Sequence, residues 1–250
     1  TISNIASLIR LDVNGARLDP IGGTPMPIDV SGSVNSLYDS HLEPRAGGGV
    51  MYSWTDLRQA NGNDQNGFVL SVTAGNTPEA ERCITTSSAN QRNSDLAIGL
   101  NGTVAVAYVS EHANNARVMV QLLGSNGLPT SAGPIELAQA PVIGTCGIAW
   151  NGSHFLVTWD QGNSGLTPIS VRARRLNPDG SPSGTEFTVM SGMAPSVEAL
   201  NGNFCIAATR YATSPQFIGL WANRIDGTSG TLLDGTTGVY LGGNYVNGLT

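Results

Sequence analysis

Lysine is absent from this 250-residue chain; all twelve basic residues are arginines. Eighteen Asp and Glu outweigh them to give a net charge of −6. An acidic chain without a basic stripe is poorly suited to a phosphate backbone, so a nucleic-acid partner is not expected. Charge of either sign is scarce, at 12% of residues, about half the usual share. Helical surfaces carry more Glu, Lys, Arg and Ala, so the shortage disfavours a helical fold. Cysteine is limited to Cys83, Cys146 and Cys205, an odd number without a C-x-x-C. That excludes a zinc ribbon and a dithiol redox motif, and leaves buried free thiols or one disulfide among the three. No apolar run approaches the roughly 20 residues of a membrane span. No signal peptide is visible, and a chain starting at Thr1 fits a processed mature form or an excised domain.

What the chain does have is glycine, 32 residues of it, with many Asn, Ser and Thr. It also has an internal repeat. Asn101-Gly102, Asn151-Gly152 and Asn201-Gly202 recur at intervals of 50 residues, each followed by an apolar run. Those runs are Thr103 to Tyr108, Phe155 to Trp159 and Phe204 to Ala208. Asn-Gly between two strand-like runs is a strong hairpin signal, because a type I′ turn needs positive φ at both central positions. Gly47-Gly48-Gly49 before Val50 to Trp54 is a less regular copy. A second set of turns holds Asn14-Gly15, Ala74-Gly75, Asn126-Gly127, Asp179-Gly180 and Asp226-Gly227, each after an apolar run.

Each unit therefore reads as four short strands, A to D, with tight A–B and C–D turns and longer B–C and D–A links. Four antiparallel strands repeated every 40–50 residues form the pattern of a propeller blade. The expected fold is all-β: one propeller over residues 1–250 with five four-stranded blades. The N- and C-terminal segments share one blade and close the ring, with Ile2 to Ala6 as a candidate for its missing strand. Consecutive apolar positions in Val104 to Ala107 and in Phe155 to Val157 predict inner strands packed on both faces.

Gly49 to Arg58 and Asn151 to Asp160 share a glycine turn and an aliphatic strand ending in Trp, with an acidic residue following. Leu11 to Pro20 and Arg175 to Pro182 supply a matching second half. This pattern resembles a repeat of secreted and surface proteins of bacteria. The resemblance implies a propeller and an extracellular or cell-surface location. It carries no catalytic residue across. Tyr108 and Thr209 stand where the repeat would place Trp.

Ligands of propellers gather where B–C and D–A loops surround the channel mouth. Candidate ligand-binding residues on the B–C loops are Asp56, Arg58, Glu111, His112, Asp160, Gln161, Arg210 and Tyr211. Carboxylates, amides, a guanidinium and an aromatic ring suit sugar hydroxyls and a sugar face. Against this, an Asp after a strand-ending Trp can cap its own turn, and Trp54, Trp159, Trp150 and Trp221 read as core. Asp56 and Asp160, taken as repeat-equivalent, could be a glycosidase pair, but repeat structure explains such a pair as well. His41, His112 and His154 lack zinc-ligand spacing, and no nucleophile elbow occurs. Calcium could bind Asp12 to Gly15 or Asn177 to Gly180, each first a hairpin turn. Asn101-Gly-Thr and Asn151-Gly-Ser match a glycosylation acceptor but sit at tight turns. The expected function is a non-catalytic, lectin-like or adhesive module, leaning away from an enzyme, whose partner is a glycan or protein ligand. The alternatives are a glycan-active hydrolase or lyase with one site over the channel, and an interaction propeller of a surface or virion assembly.

Overall fold

The computed structural model describes residues 6–8, 26–28, 37–56, 65–75, 77–85, 89–130, 133–163, 170–213 and 216–245. A short antiparallel pair comes first, β1 (Ala6–Leu8) with β2 (Met26–Ile28). Four antiparallel sheets of four strands follow. Sheet one holds β3 (Leu37–Pro44), β4 (Val50–Asp56), β5 (Asn66–Val72) and β6 (Arg82–Cys83). Sheet two holds β7 (Asn90–Ile98), β8 (Val104–His112), β9 (Asn115–Leu123) and β10 (Ile135–Ala140). Sheet three holds β11 (Val142–Trp150), β12 (Phe155–Gly162), β13 (Ser170–Leu176) and β14 (Pro182–Met190). Sheet four holds β15 (Met193–Leu200), β16 (Asn203–Thr213), β17 (Gln216–Ile225) and β18 (Val239–Tyr245). The first strands of successive sheets, β3, β7, β11 and β15, lie against one another in that order. The sheets thus radiate from their A strands as blades do.

The turn residues act as their chemistry dictates. Asn101 and Gly102 both have positive φ, 56° and 76°, as do Asn201 and Gly202 at 51° and 79°. Asn151 solves the same turn differently: its Oδ1 accepts the Ser153 and His154 backbone N–H groups, and its Nδ2 donates to Gly202 O on the next blade.

The apolar runs serve two faces, as expected. Val104 and Val106 pack toward sheet one with Met51 and Val69. Ala105, Ala107 and Val109 pack toward sheet three with Phe155, Val157 and Trp159. Leu156 faces the opposite way, into a core shared with Phe204 and Ile206 of sheet four. A strand buried on both faces cannot alternate apolar with polar residues. Trp54 and Trp159 are completely buried, each in a position that contributes roughly 1.5–3 kcal/mol or more through apolar burial.

Two expectations need correction. The B–C links are not uniformly long. In sheet two only Ala113 and Asn114 separate β8 from β9, and in sheet four β16 runs to Thr213 before β17 resumes at Gln216. Here the strands extend through residues assigned to loops, since Ser110 to His112 and Arg210 to Thr213 find backbone partners across the hairpin. The sequence expectation that the chain opens on strands leading to the Asn14-Gly15 turn is met only by the short strand Ala6–Leu8 among the described residues. The Asn14-Gly15 turn, Asp12 to Gly15 and most of Ile2 to Ala6 lie outside the described residues.

Candidate functional site

The innermost strands are edge strands. Their outward N–H groups have no neighbouring strand to pair with, and such groups need acceptors. Each of the four described innermost strands also carries a two-residue bulge, at Asp39-Ser40, Asn93-Ser94, Gly144-Thr145 and Ala194-Pro195. Asp39, Asn93 and Ala194 adopt left-handed φ of 46°, 54° and 50° there. Bulges re-aim side chains and frequently flank functional sites.

Aspartates satisfy these edges from blade to blade. Asp39 Oδ2 accepts the Asn93 N–H at 3.0 Å. Asp95 Oδ2 accepts the Ile148 N–H at 2.9 Å. Asp160 Oδ2 accepts the Ala194 N–H at 2.7 Å, and its Oδ1 accepts Thr145 N–H at 2.5 Å. All but the Thr145 bond, which stays within sheet three, join one blade to the innermost strand of the next. A Cβ on Gly144 would sit 2.5 Å from Asp160 Oδ1, so the glycine makes room for the carboxylate.

A second set of groups faces the same inner region without serving the edge. Nδ1 of His41 lies 2.9 Å from Asp95 Oδ1, and Nε2 lies 3.3 Å from Glu43 Oε1. Ionised carboxylates only accept, so a ring with both nitrogens against them carries both protons. The His41 midpoint is pushed up to about 10, first by the hydrogen bond to Asp95 and then by that to Glu43. Glu198 on β15 is also shifted upward: its carboxyl holds its proton above the usual range. Partial burial is the main cause, followed by the charge of Glu43, with Asp95 adding and His41 opposing. Cys146 is not a nucleophile here. Burial first, then the charge of Asp95, drives its thiol far up, and its Sγ donates to Asn93 O.

The residues singled out from sequence fall elsewhere. Asp56 is fully buried, and its Oδ2 accepts the Trp54 indole N–H at 2.8 Å. Gln161 does the same for Trp159, at 3.0 Å. Gln161 is therefore the repeat partner of Asp56, and the assumed equivalence of Asp56 with Asp160 is wrong by one residue. In a strand one residue changes the face, which sends Asp160 to the blade-to-blade bond instead. Glu111 and His112 lie together beside a cavity of about 390 Å³ that Arg92 also lines. Burial raises the Glu111 carboxyl, but hydrogen bonds from Asn90 and Arg92 outweigh it and leave it below the usual range. Arg92 Nε sits 2.6 Å from Glu111 and its Nη2 donates to Ile143 O of the next blade, so this pair too is a blade clamp. His112 also lines a larger cavity of about 510 Å³ between sheets one and two, with Tyr108, Met119 and Arg117. Arg210 lies over the Trp221 ring at 4.8 Å and donates to Thr237 O. Arg58 and the side chain of Tyr211 lie outside the described residues.

Among the described residues no group of three His, Cys, Asp or Glu is arranged to hold a metal. Asp179, one of the calcium candidates, accepts the Ser181 N–H and hydroxyl as a turn residue. All three cysteines are free.

No protein-family model matches the chain, and no curated protein matches it. Solved structures do match. The α-L-arabinanase of Penicillium chrysogenum is 11% identical with a TM-score of 0.58, over 78% of this chain and 68% of that one. This chain is a β-propeller. Its match to the GH93 α-L-arabinofuranosidase of Fusarium graminearum has 10% identity and a TM-score of 0.57, over 82% and 65% of the two chains. A levansucrase of B. megaterium matches at 9% and 0.54, over 96% and 76%. At such identities the likeness is one of fold.

These matches correct the expectation of a non-catalytic lectin-like or adhesive module, and with it the lean away from an enzyme. That reading took the missing catalytic motif and the polar loops as marks of binding. The propellers matched are glycoside hydrolases and a levansucrase, and the polar loop residues here largely brace blades. The residues sequence reasoning missed, Asp39, His41, Glu43, Asp95 and Glu198, lie on A strands. One signal could have found them: β3 and β7 carry His, Asp and Glu in the strand that every other rule makes innermost, whereas β11 carries none.

Proposed function

We propose that the protein is a glycan-active hydrolase with one site in the central channel, where Glu198 is the general acid and Glu43 the partner carboxylate. The observation that carries this reading is the unlike environment of the two groups. Partial burial and then the charge of Glu43 hold the Glu198 carboxyl above the usual range, while Glu43 is hydrogen-bonded by His41. A carboxyl raised above the usual range and set against a second carboxylate is a form that acid–base division takes in glycosidases. Glu198 would protonate the departing glycosidic oxygen, and Glu43 would take the proton of the attacking water or attack directly. Among the described residues the set occurs once, since β11 contributes no ionisable acid, which fits a single site better than a repeated binding pocket. The test is release of sugar from arabinobiose, xylotriose and β-1,3-galactotriose, the ligands of matched propellers, by the protein and by Glu198→Gln. Release that the variant loses supports the reading. No release above a blank, or equal release by both, overturns it.

We also infer a ring of five blades, the fifth built around β1 and β2. Tyr52, Trp54 and Phe68 form a core on the face of sheet one that turns away from sheet two, yet Trp54 is completely buried. A further layer of chain covering that face accounts for this. Removing residues 1–36 should then red-shift the indole emission, with Trp54→Phe identifying the share of Trp54. Unchanged emission would contradict it.

A further inference from the structure

His41 has no part in strand pairing beyond its backbone, yet both of its ring nitrogens are taken. Asp95 of the neighbouring blade holds Nδ1 at 2.9 Å, and Glu43 of its own strand holds Nε2 at 3.3 Å. His41 and Glu43 are two residues apart on β3 and past its bulge, so their side chains leave the same face. We propose that His41 is a positioning residue: its ring, anchored on Asp95, orients the Glu43 carboxylate and sets a positive charge among the acids of the innermost strands.

The charged groups involved come from three innermost strands. From β3 there are Asp39, His41 and Glu43; from β7, Asp95; from β15, Glu198 itself. β11 adds only Cys146, a thiol that burial keeps neutral. Arg92 is turned away to Glu111 and to the carbonyls of Ile143 and Gly144. His41 is therefore the one cation acting on Glu198 among these groups, against the negative charges of Glu43 and Asp95. Its own raised midpoint, about 10, keeps that positive charge in place throughout the neutral range. The inference rests on reading Glu43 and Glu198 as a working pair, but the fields it names exist whether or not a glycan is cleaved.

Carboxyl-detected NMR titration of glutamate-labelled protein tests it. In His41→Gln the midpoint of Glu198 is expected to rise by on the order of one pH unit, because the opposing cation is gone. In Glu43→Gln it is expected to fall by a similar amount. His41→Arg retains a cation and should return the midpoint most of the way to that of the parent. A merely structural histidine would move Glu198 in neither variant, or in the same direction in both, and either result overturns the proposal. If His41→Gln fails to fold, the Glu43→Gln and His41→Arg arms decide it alone. Opposite shifts without any glycan cleavage would uphold the positioning role while the hydrolase reading fails. If cleavage is found, the alkaline limb of its pH profile should follow the Glu198 midpoint in His41→Gln, and a limb that stays in place would overturn the link to the pair.

Discussion

Asp160 and Glu198 are both acids close to the propeller's inner strands, yet they sit in opposite situations. Asp160 is almost completely buried and its two oxygens accept two backbone N–H groups, one on its own blade and one on the next. Glu198 is more exposed and has no backbone N–H donor among the described residues; partial burial and then the charge of Glu43 raise its carboxyl. The difference separates what a carboxylate does for the ring from what it can do for a substrate. An acid saturated by backbone donors has no lone pairs to spare for a sugar. An acid held beside other acids gives up its proton at a higher pH than an isolated one.

The strongest way to break this comparison is Asp160→Ala. Two partly buried backbone donors would lose their acceptor, at about 1 kcal/mol or more each, so a loss of about 2 kcal/mol is expected in urea unfolding. A loss below about 1 kcal/mol would mean that water replaces the carboxylate and that the blade clamp is dispensable. Glu198→Gln should show the reverse profile: unfolding stability within about 0.5 kcal/mol of the parent, and glycan cleavage down by roughly 100-fold or more, the range of a lost general acid. A variant that is fully active yet unstable would place Glu198 with Asp160 among the structural acids.

The repeat, the four-strand units, the A–B and C–D turns and the doubly buried inner strands are all legible in the sequence, because each rests on local chemistry. Asn-Gly pairs announce turns, and unbroken apolar runs announce strands covered on both sides. The site is not legible in the same way. Asp56 and Asp160 follow tryptophans at offsets of two and one, and only the observed register shows that this single residue reverses their faces. The pairing of His41 with Asp95 spans 54 positions of the chain and two blades, and no local pattern encodes it. Polar residues at strand ends looked like a binding rim because loops usually carry function. In this ring Asp160 instead supplies acceptors that the edge strands lack, and Asp56, Gln161 and Glu111 hold neighbouring side chains.

His41 gives the comparison a pH axis. A histidine with a raised midpoint contributes stability that is fully present below its unfolded value of 6.5 and is lost as pH climbs through about 10. The stability difference between the parent and His41→Gln should therefore be greatest in mildly acidic solution and shrink across that window. Urea midpoints at several pH values measure it, and a difference that stays constant would show that the ring is held neutral.

The smallest expected effect is at Glu111, the acid that looked most like a ligand contact. It is paired with Arg92 at 2.6 Å and with Asn90 at 2.8 Å, but the pair is 24% and 40% exposed, so solvent screens it. Replacing Glu111 by Gln should cost about 0.5–1 kcal/mol near neutral pH, the value of a partly exposed ion pair. The carboxyl lies below the usual range in the folded protein, so this contribution is present above the unfolded midpoint near 4.5 and disappears as pH falls through the folded one. The cost of the substitution should fade on acidification and on adding salt, where that of Asp160→Ala persists with salt because its partners are backbone dipoles and not a solvated cation. If the two substitutions instead lose their cost together as salt is raised, the division between buried clamp and surface pair fails, and Asp160 would have to be counted among the charge–charge interactions.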